Sequence, residues 1–359
     1  MASADHHAYL RDAPKVELHV HLEGAVRPGR LLGILRRHGL HAGLRRVEDL
    51  AFLFQHADFA AFLDHFRFVV SALRDVQDVH DVAQDLFEDL AAQHVHYAEV
   101  IFSAAIFTRQ GLPLEELLAA VTEAADRTPP IAGPRFNFVV DVVRNFGAES
   151  AATLAGELAR RAHPRVVGIH LGGDEAGFPG RDFQRAFAIA GEAGLGRAAH
   201  AGEARGPESV RDAIEVLGVQ RIGHGIRAAE DPDLVADLAA RRITLEVCPT
   251  SNLRTGVVAN YAAHPLPALV RAGVPVTLGA DDPAYFDTNL TRELQIAVAH
   301  LGCDLDAADG FAIAGLQGAF LPEAERQARL GAWTQARDRV RAAHALPAGR
   351  RAAAPAPGA

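Results

Sequence analysis

Cysteine, lysine, methionine and tryptophan are all scarce in this chain. Its 359 residues include two cysteines, Cys248 and Cys303, one methionine and one tryptophan. Two thiols cannot build a disulfide framework, so a reducing compartment fits and a cytoplasmic location is expected. Lys15 is the only lysine. Nearly all the basic charge is arginine, and with the abundant alanine this reads as genome composition bias. No apolar run approaches the roughly 18 residues that a membrane helix needs, and no N-terminal apolar leader core is present, so neither spanning nor secretion is expected. Positive charge is outweighed: 36 Lys and Arg face 45 Asp and Glu, a formal net charge of −9. That balance argues against a nucleic-acid partner. A G-x-G-x-x-G after the first strand pattern is also missing, which counts against a doubly wound sheet.

What is present is ordinary globular composition, 49% hydrophobic and 23% charged, which excludes global disorder. Short apolar runs rich in β-branched residues recur, each followed by a longer amphipathic stretch. The expected strands are 16–22, 95–102, 136–143, 166–171, 196–201, 221–224, 243–247 and 274–278. Helical patterns separate them at 149–162, 181–193, 207–217, 232–241 and 266–272. Alternating strand and helix implies parallel strands joined by crossovers, and eight such units predict an α/β fold, a closed (β/α)8 TIM-type barrel. One barrel domain over 1–345 is expected, followed by a disordered tail, 346–359, of Ala, Pro, Gly and Arg. Residues 1–12 are polar and are expected to lie loosely against the body. A helical insertion of about seventy residues, Gly24 to His94, follows the first strand. Its Phe59, Phe62, Phe66 and Phe68 either pack the insertion on the barrel or form an apolar lid over its mouth, and both can hold together.

The first strand reads E-L-H-V-H-L-E-G, with His19 and His21 two apart. In a strand such residues face one side, so both imidazoles can reach one metal ion, although two half-buried histidines without metal explain the pair as well. His200 closes the fifth strand in A-A-H-A-G-E, and Glu203 follows in the loop. His224 ends the sixth in R-I-G-H-G, and Asp281 and Asp282 end the eighth in L-G-A-D-D-P. Taken singly these are weak signals, since Asp-Asp-Pro is often a turn or cap. Together they lie at the carboxyl ends of barrel strands, where barrel active sites are built. Burying so many ionisable groups without a cation is costly. His19, His21, His200 and Asp281 make an N3O set for one zinc ion, leaving a position for water. His224 and Asp282 remain to orient and deprotonate that water, and Glu203 is the best proton donor. A lysine-bridged metal pair is excluded, because the fourth strand ends His170-Leu171-Gly172.

The segments P-K-V-E-L-H-V-H-L-E-G, L-G-G-D-E, H-A-G-E, R-I-G-H-G, C-P-T-S-N and G-A-D-D-P, in order from Pro14 to Leu301, resemble the adenosine deaminase family of the amidohydrolase superfamily. The resemblance implies zinc on His19, His21, His200 and Asp281, with Glu203 as proton donor to purine N1. It implies His224 orienting or deprotonating the water, Asp282 bonding the nucleophile and the N7 edge, and the Gly173 N–H meeting N3. The reaction it implies replaces a purine 6-amino group by oxygen and releases ammonia. Three departures bear on the substrate. Glu23 stands where the family usually has Asp at the ribose 5′-hydroxyl. Ile101-Phe102-Ser103 follows Glu99-Val100 where an Arg is usual. His170 stands where many members have Asp. Glu23 also occurs in the adenine deaminase branch, which usually lacks the G-G-D-E seen at Gly172–Glu175. The expected substrate is a purine nucleoside, adenosine or a 5′-modified one such as 6-aminodeoxyfutalosine, with contacts from Glu23, Gly173, Asp282, Phe62, Phe66, Ser103 and His170. The alternatives are free adenine and a catalytically silent purine- or zinc-binding barrel. The sequence is silent on oligomeric state.

Overall fold

The computed structural model describes residues 4–55, 59–133 and 135–349. Eight strands lie in sequence order in one sheet: β1 Lys15–Glu17, β2 Val95–Phe102, β3 Phe136–Asp141, β4 Val166–His170, β5 Gly196–Ala201, β6 Arg221–His224, β7 Thr244–Val247 and β8 Val276–Leu278. Every neighbouring pair is parallel. The ring closes between the segments that follow β8 and β1, where the His21 N–H donates to the Asp281 carbonyl (2.8 Å) and the Asp281 N–H to the His19 carbonyl (2.9 Å). The fold is thus a (β/α)8 barrel. Its strands are buried along almost their whole length, as expected of a parallel sheet covered by helices.

The expected strands match, with one informative difference. β1 does not run to Leu22 but stops at Glu17, and the chain continues through isolated bridges at Val20 and His21. The cause is local. The Glu17 carboxylate accepts the His19 N–H (3.1 Å), so a side chain takes the place of a ladder bond.

The N-terminal segment corrects another expectation. Ala4–Asp12 is a helix whose Tyr9 and Leu10 are buried, with the Tyr9 hydroxyl donating to Asp309 (2.6 Å). Its polar composition hid an anchoring face. Among the described residues four helices follow β8: Pro283–Phe286, Leu290–His300, Leu305–Gly318 and Glu323–Ala343. The last carries Trp333, whose indole N–H donates to the Pro14 carbonyl (2.9 Å). Residues 350–359 of the expected tail lie outside the described residues. Among the described residues no helix is long and apolar enough to cross a membrane.

The insertion contains helices Pro28–Arg37, Phe59–Ala72 and Val76–Ala92. Asp75 and Asp78 form a capping box that starts the last of these. The helix Phe59–Ala72 lies over the mouth of the barrel, where Phe62 stacks on Phe286 (5.2 Å) and meets Tyr285 edge-on (5.6 Å).

Candidate metal centre and active-site cavity

His19 and His21 follow β1, His200 lies in β5, His224 ends β6, and Asp281 and Asp282 follow β8. All six are buried in the same mouth of the barrel. His224 and Asp281 both take left-handed backbone, φ 59° each, a strain of about 1 to 3 kcal/mol apiece that closely packed active sites tolerate. Glycine makes the crowding possible. A Cβ on Gly223 would lie 2.7 Å from His19 Cε1, and one on Gly24 would overlap the Asp282 carboxylate.

The histidine rings crowd together, with centroids 4.8 Å apart for His19–His200 and His200–His224, and 5.4 Å for His19–His21. Asp281 Oδ1 is 3.3 Å from both His19 Nε2 and His21 Nε2. One nitrogen or oxygen from each of His19, His200, His224 and Asp281 falls within 4.8 Å of the others. Geometry therefore groups His224 with the expected ligands and brings His21 in through Asp281. His19 Nε2, His224 Nε2 and Asp281 Oδ1 are buried without a hydrogen-bond partner, so the pocket presents unspent donor atoms to a common centre. Burial opposes charge on His19, yet bonds to Asp281 and Glu246 outweigh it and push the ring up to about 10. Burial likewise opposes charge on Asp281, yet His224, His19 and His21 hold its carboxyl well below the usual range. A nitrogen-rich set that grips a proton this tightly fits a divalent cation in its place.

Behind the rings stands a layer that the sequence reading missed. Glu246 accepts from His19 Nδ1 (2.8 Å) and is itself ion-paired with Arg221, which also pairs with Glu99. His170 Nε2 lies 3.2 Å from His200 Nδ1, with Asp141 Oδ1 3.8 Å beyond its other nitrogen. Asn252 bonds His224 Nδ1 (3.1 Å), and His264 bonds Asn252 (3.2 Å). Such partners fix ring orientation and tautomer. The available signal was a carboxylate inside an otherwise apolar strand: Glu99 in Y-A-E-V, Glu246 in T-L-E-V and Asp141 in F-V-V-D.

Glu203 owes its place to Glu175, the last residue of L-G-G-D-E. The Glu175 carboxylate accepts the N–H groups of Gly202 (2.7 Å), Glu203 (3.2 Å), Ala204 (2.6 Å) and Arg205 (3.0 Å), together with the Ser209 hydroxyl. One buried carboxylate thus shapes the whole loop. Glu203 Oε2 comes to 3.5 Å from His224 Nε2. Burial, then the neighbouring Asp281 and Glu175 carboxylates, push Glu203 well above the usual range. Burial and then Asp281 do the same to Asp282. Burial pulls His224 down to about 3. Burial thus favours the protonated acid at Glu203 and the uncharged ring at His224.

These groups open into a cavity of about 260 Å³. His21, His200, Glu203, His224, Asp281 and Asp282 form its polar end. The helix Phe59–Ala72 lines the other side with Phe62, Leu63, Phe66 and Val70, so the insertion both packs on the barrel and covers its mouth. Ser103, Asp141 and Gly173 line the wall. Gly173 has φ +95°, and a Cβ there would overlap Asn145 Oδ1. Two residues expected to touch substrate do not line the cavity. His170 is fully buried between His200 and Asp141. Glu23 is fully buried with Oε1 accepting the Ser103 N–H (2.9 Å), and burial pushes its carboxyl up to about 7. Cys248 is a buried free thiol.

The family model described as adenosine deaminase matches residues 14–332. Among curated relatives, the aminodeoxyfutalosine deaminase of Acidothermus cellulolyticus is 40% identical over 298 residues, 81% of this chain and 83% of the relative. The adenine deaminase of Rhizobium leguminosarum bv. trifolii is 37% identical over 316 residues, 88% of this chain and 97% of the relative. Among solved structures, an amidohydrolase from Burkhoderia ambifaria with bound zinc superposes with a TM-score of 0.88 at 26% identity, covering 96% of each chain.

Proposed function

The chain belongs to the adenosine deaminase family and is a metal-dependent hydrolytic deaminase; we propose that its substrate is an adenine-containing nucleoside, adenosine or a 5′-modified one such as 6-aminodeoxyfutalosine, converted to the 6-oxopurine and ammonia. The observation that carries this reading is the meeting, at one end of one cavity, of a buried glutamate and a nitrogen-rich donor cluster.

His19, His21, His200 and Asp281 would hold one zinc ion. When bound, zinc supplies Lewis acidity that makes water nucleophilic near neutral pH. The rest falls to the chain itself. Glu203 gives its proton to N1 while the oxygen of water bonds to C6. The ring thereby trades the C6–N1 double bond for a tetrahedral carbon. His224 and Asp282 hydrogen-bond the incoming oxygen and fix its direction of approach. The C6–N bond to the amino group then breaks: one proton of the water passes through Asp282 to the nitrogen, which leaves as ammonia, the other returns to Glu203, and a carbonyl remains at C6. Gly173 presents backbone to the purine edge, and Phe62 and Phe66 cover the ring and exclude bulk water.

A second reading, free adenine as substrate, is favoured by one observation. Glu23, the carboxylate expected at the sugar, lies outside the cavity lining, with Oε1 accepting the Ser103 N–H and Oε2 without a hydrogen-bond partner. Comparing kcat/KM for adenosine, 6-aminodeoxyfutalosine and adenine on zinc-loaded protein separates the two. Either nucleoside should exceed adenine by at least about 10-fold, the order of discrimination that an added binding group supplies. A clear preference for adenine moves the assignment to the free base, and inertness toward all three contradicts both.

A further inference from the structure

Four imidazoles crowd one centre, and ring distances alone do not say which accept a cation and which donate a hydrogen. The residues behind them do. Hydrogen positions follow from bond polarity once one end of a chain of bonds is fixed.

Behind His224 the fixed end is a backbone amide. The Leu266 N–H donates to His264 Nδ1 (3.1 Å). An amide nitrogen can only donate, so His264 Nδ1 carries no hydrogen and its Nε2 must. That Nε2–H faces Asn252 Oδ1 (3.2 Å), which accepts it. The Asn252 amide then turns its Nδ2–H to His224 Nδ1 (3.1 Å). His224 Nδ1 is therefore an acceptor, and the hydrogen of the neutral ring sits on Nε2, facing Glu203 (3.5 Å) and Asp281 (3.8 Å).

Behind the other rings the polarity is opposite. Glu246, paired with Arg221, accepts from His19 Nδ1 (2.8 Å). Asp141, already accepting the N–H groups of Val143 (3.1 Å) and Gly172 (2.7 Å), faces His170 Nδ1. Asp141 Oδ1 is 3.8 Å from His170 Nδ1, too far for a hydrogen bond, but as the nearest charge it favours a hydrogen on that nitrogen and leaves His170 Nε2 to accept from His200 Nδ1. Both His19 and His200 thus keep the Nε2 lone pair for the centre.

We propose that the Leu266–His264–Asn252 wire holds His224 as an Nε2–H hydrogen-bond donor, excluding it from the metal ligands and from the role of general base, and that Asn252 and His264 are positioning residues for deamination. In the deamination proposed above, on which this assignment rests for its catalytic meaning, His224 gives a hydrogen bond to the incoming oxygen.

The test is imidazole 15N NMR on histidine-labelled protein, with variants for assignment. The wild type should show His224 with a bare Nδ1 and a protonated Nε2. In Asn252→Asp a carboxylate faces the ring, and Nδ1 should gain a hydrogen. His264→Ala frees the Asn252 amide and should lower kcat about 10-fold, the low end for a mispositioned polar group, with KM within about threefold and zinc content unchanged. His264→Gln keeps an N–H toward Asn252 and should restore most of the rate. A protonated Nδ1 in the wild type overturns the proposal, as does a His264→Gln variant no better than His264→Ala. The tautomer is read without turnover. A protein that shows the expected tautomer yet deaminates no 6-aminopurine refutes the proposed reaction and leaves the wire standing.

Discussion

At the scale of single residues, the site works by setting protonation states apart. Glu203 is buried beside Asp281 and Glu175, which raises its carboxyl well above the range of an exposed glutamate. Asp281, ringed by histidines, stays ionised. Two carboxylates in one mouth are thereby pushed in opposite directions. Replacing Glu203 by Gln keeps the shape and removes the transferable proton. Turnover should fall at least about 100-fold, the usual weight of a general acid, with zinc content unchanged. Ammonia release and elemental analysis on the same sample check this. Retained activity removes Glu203 from the acid role. The residue types at the centre were legible in the sequence, because histidines and carboxylates at strand ends have a known meaning in barrels. Their supports were not. Glu246 stands 227 positions from the His19 that it holds, and nothing in a linear reading links them. For the same reason Glu23 and His170 were expected against substrate, while the fold turns both inward.

Elements carry these residues to their places. The loop after β5 has no regular structure of its own, and its shape comes from one carboxylate accepting four consecutive N–H groups. Glu175→Gln puts an amide NH2 against those donors and should let Glu203 drift. A displacement of about 1 Å can cost about 100-fold in rate. The expected result is a kcat loss of that order, faster amide hydrogen exchange at Gly202–Arg205, and intact zinc binding. Unchanged exchange there contradicts the assignment. Strand β2 offers a pH test far from the centre. Burial, with Arg135 nearby, pulls His96 down to about 4. The folded state resists protonation that the unfolded chain accepts below its usual 6.5. Stability from this group is therefore full above 6.5 and lost as pH falls toward 4. His96→Gln should flatten that part of the curve, so its urea midpoint should drop less than the wild type's between pH 6.5 and 4. Parallel slopes would show that His96 contributes nothing.

The barrel as a whole was readable because its strands are buried on both faces and appear as short apolar runs between amphipathic stretches. β2, β5 and β6 match the expected bounds. β1 departs because Glu17 bonds its own backbone two residues on. The N-terminal helix escaped notice because two buried side chains in nine residues give almost no period. Closure of the ring and the centre share residues. The backbone bonds that join the two ends of the sheet run between His19, His21 and Asp281. The most direct trial of this account follows ammonia release from adenosine and 6-aminodeoxyfutalosine by chelator-stripped protein as zinc is returned. The account predicts no turnover when stripped and full recovery at about one equivalent of zinc per chain. Turnover by fully stripped protein, or silence at every zinc level, would contradict it.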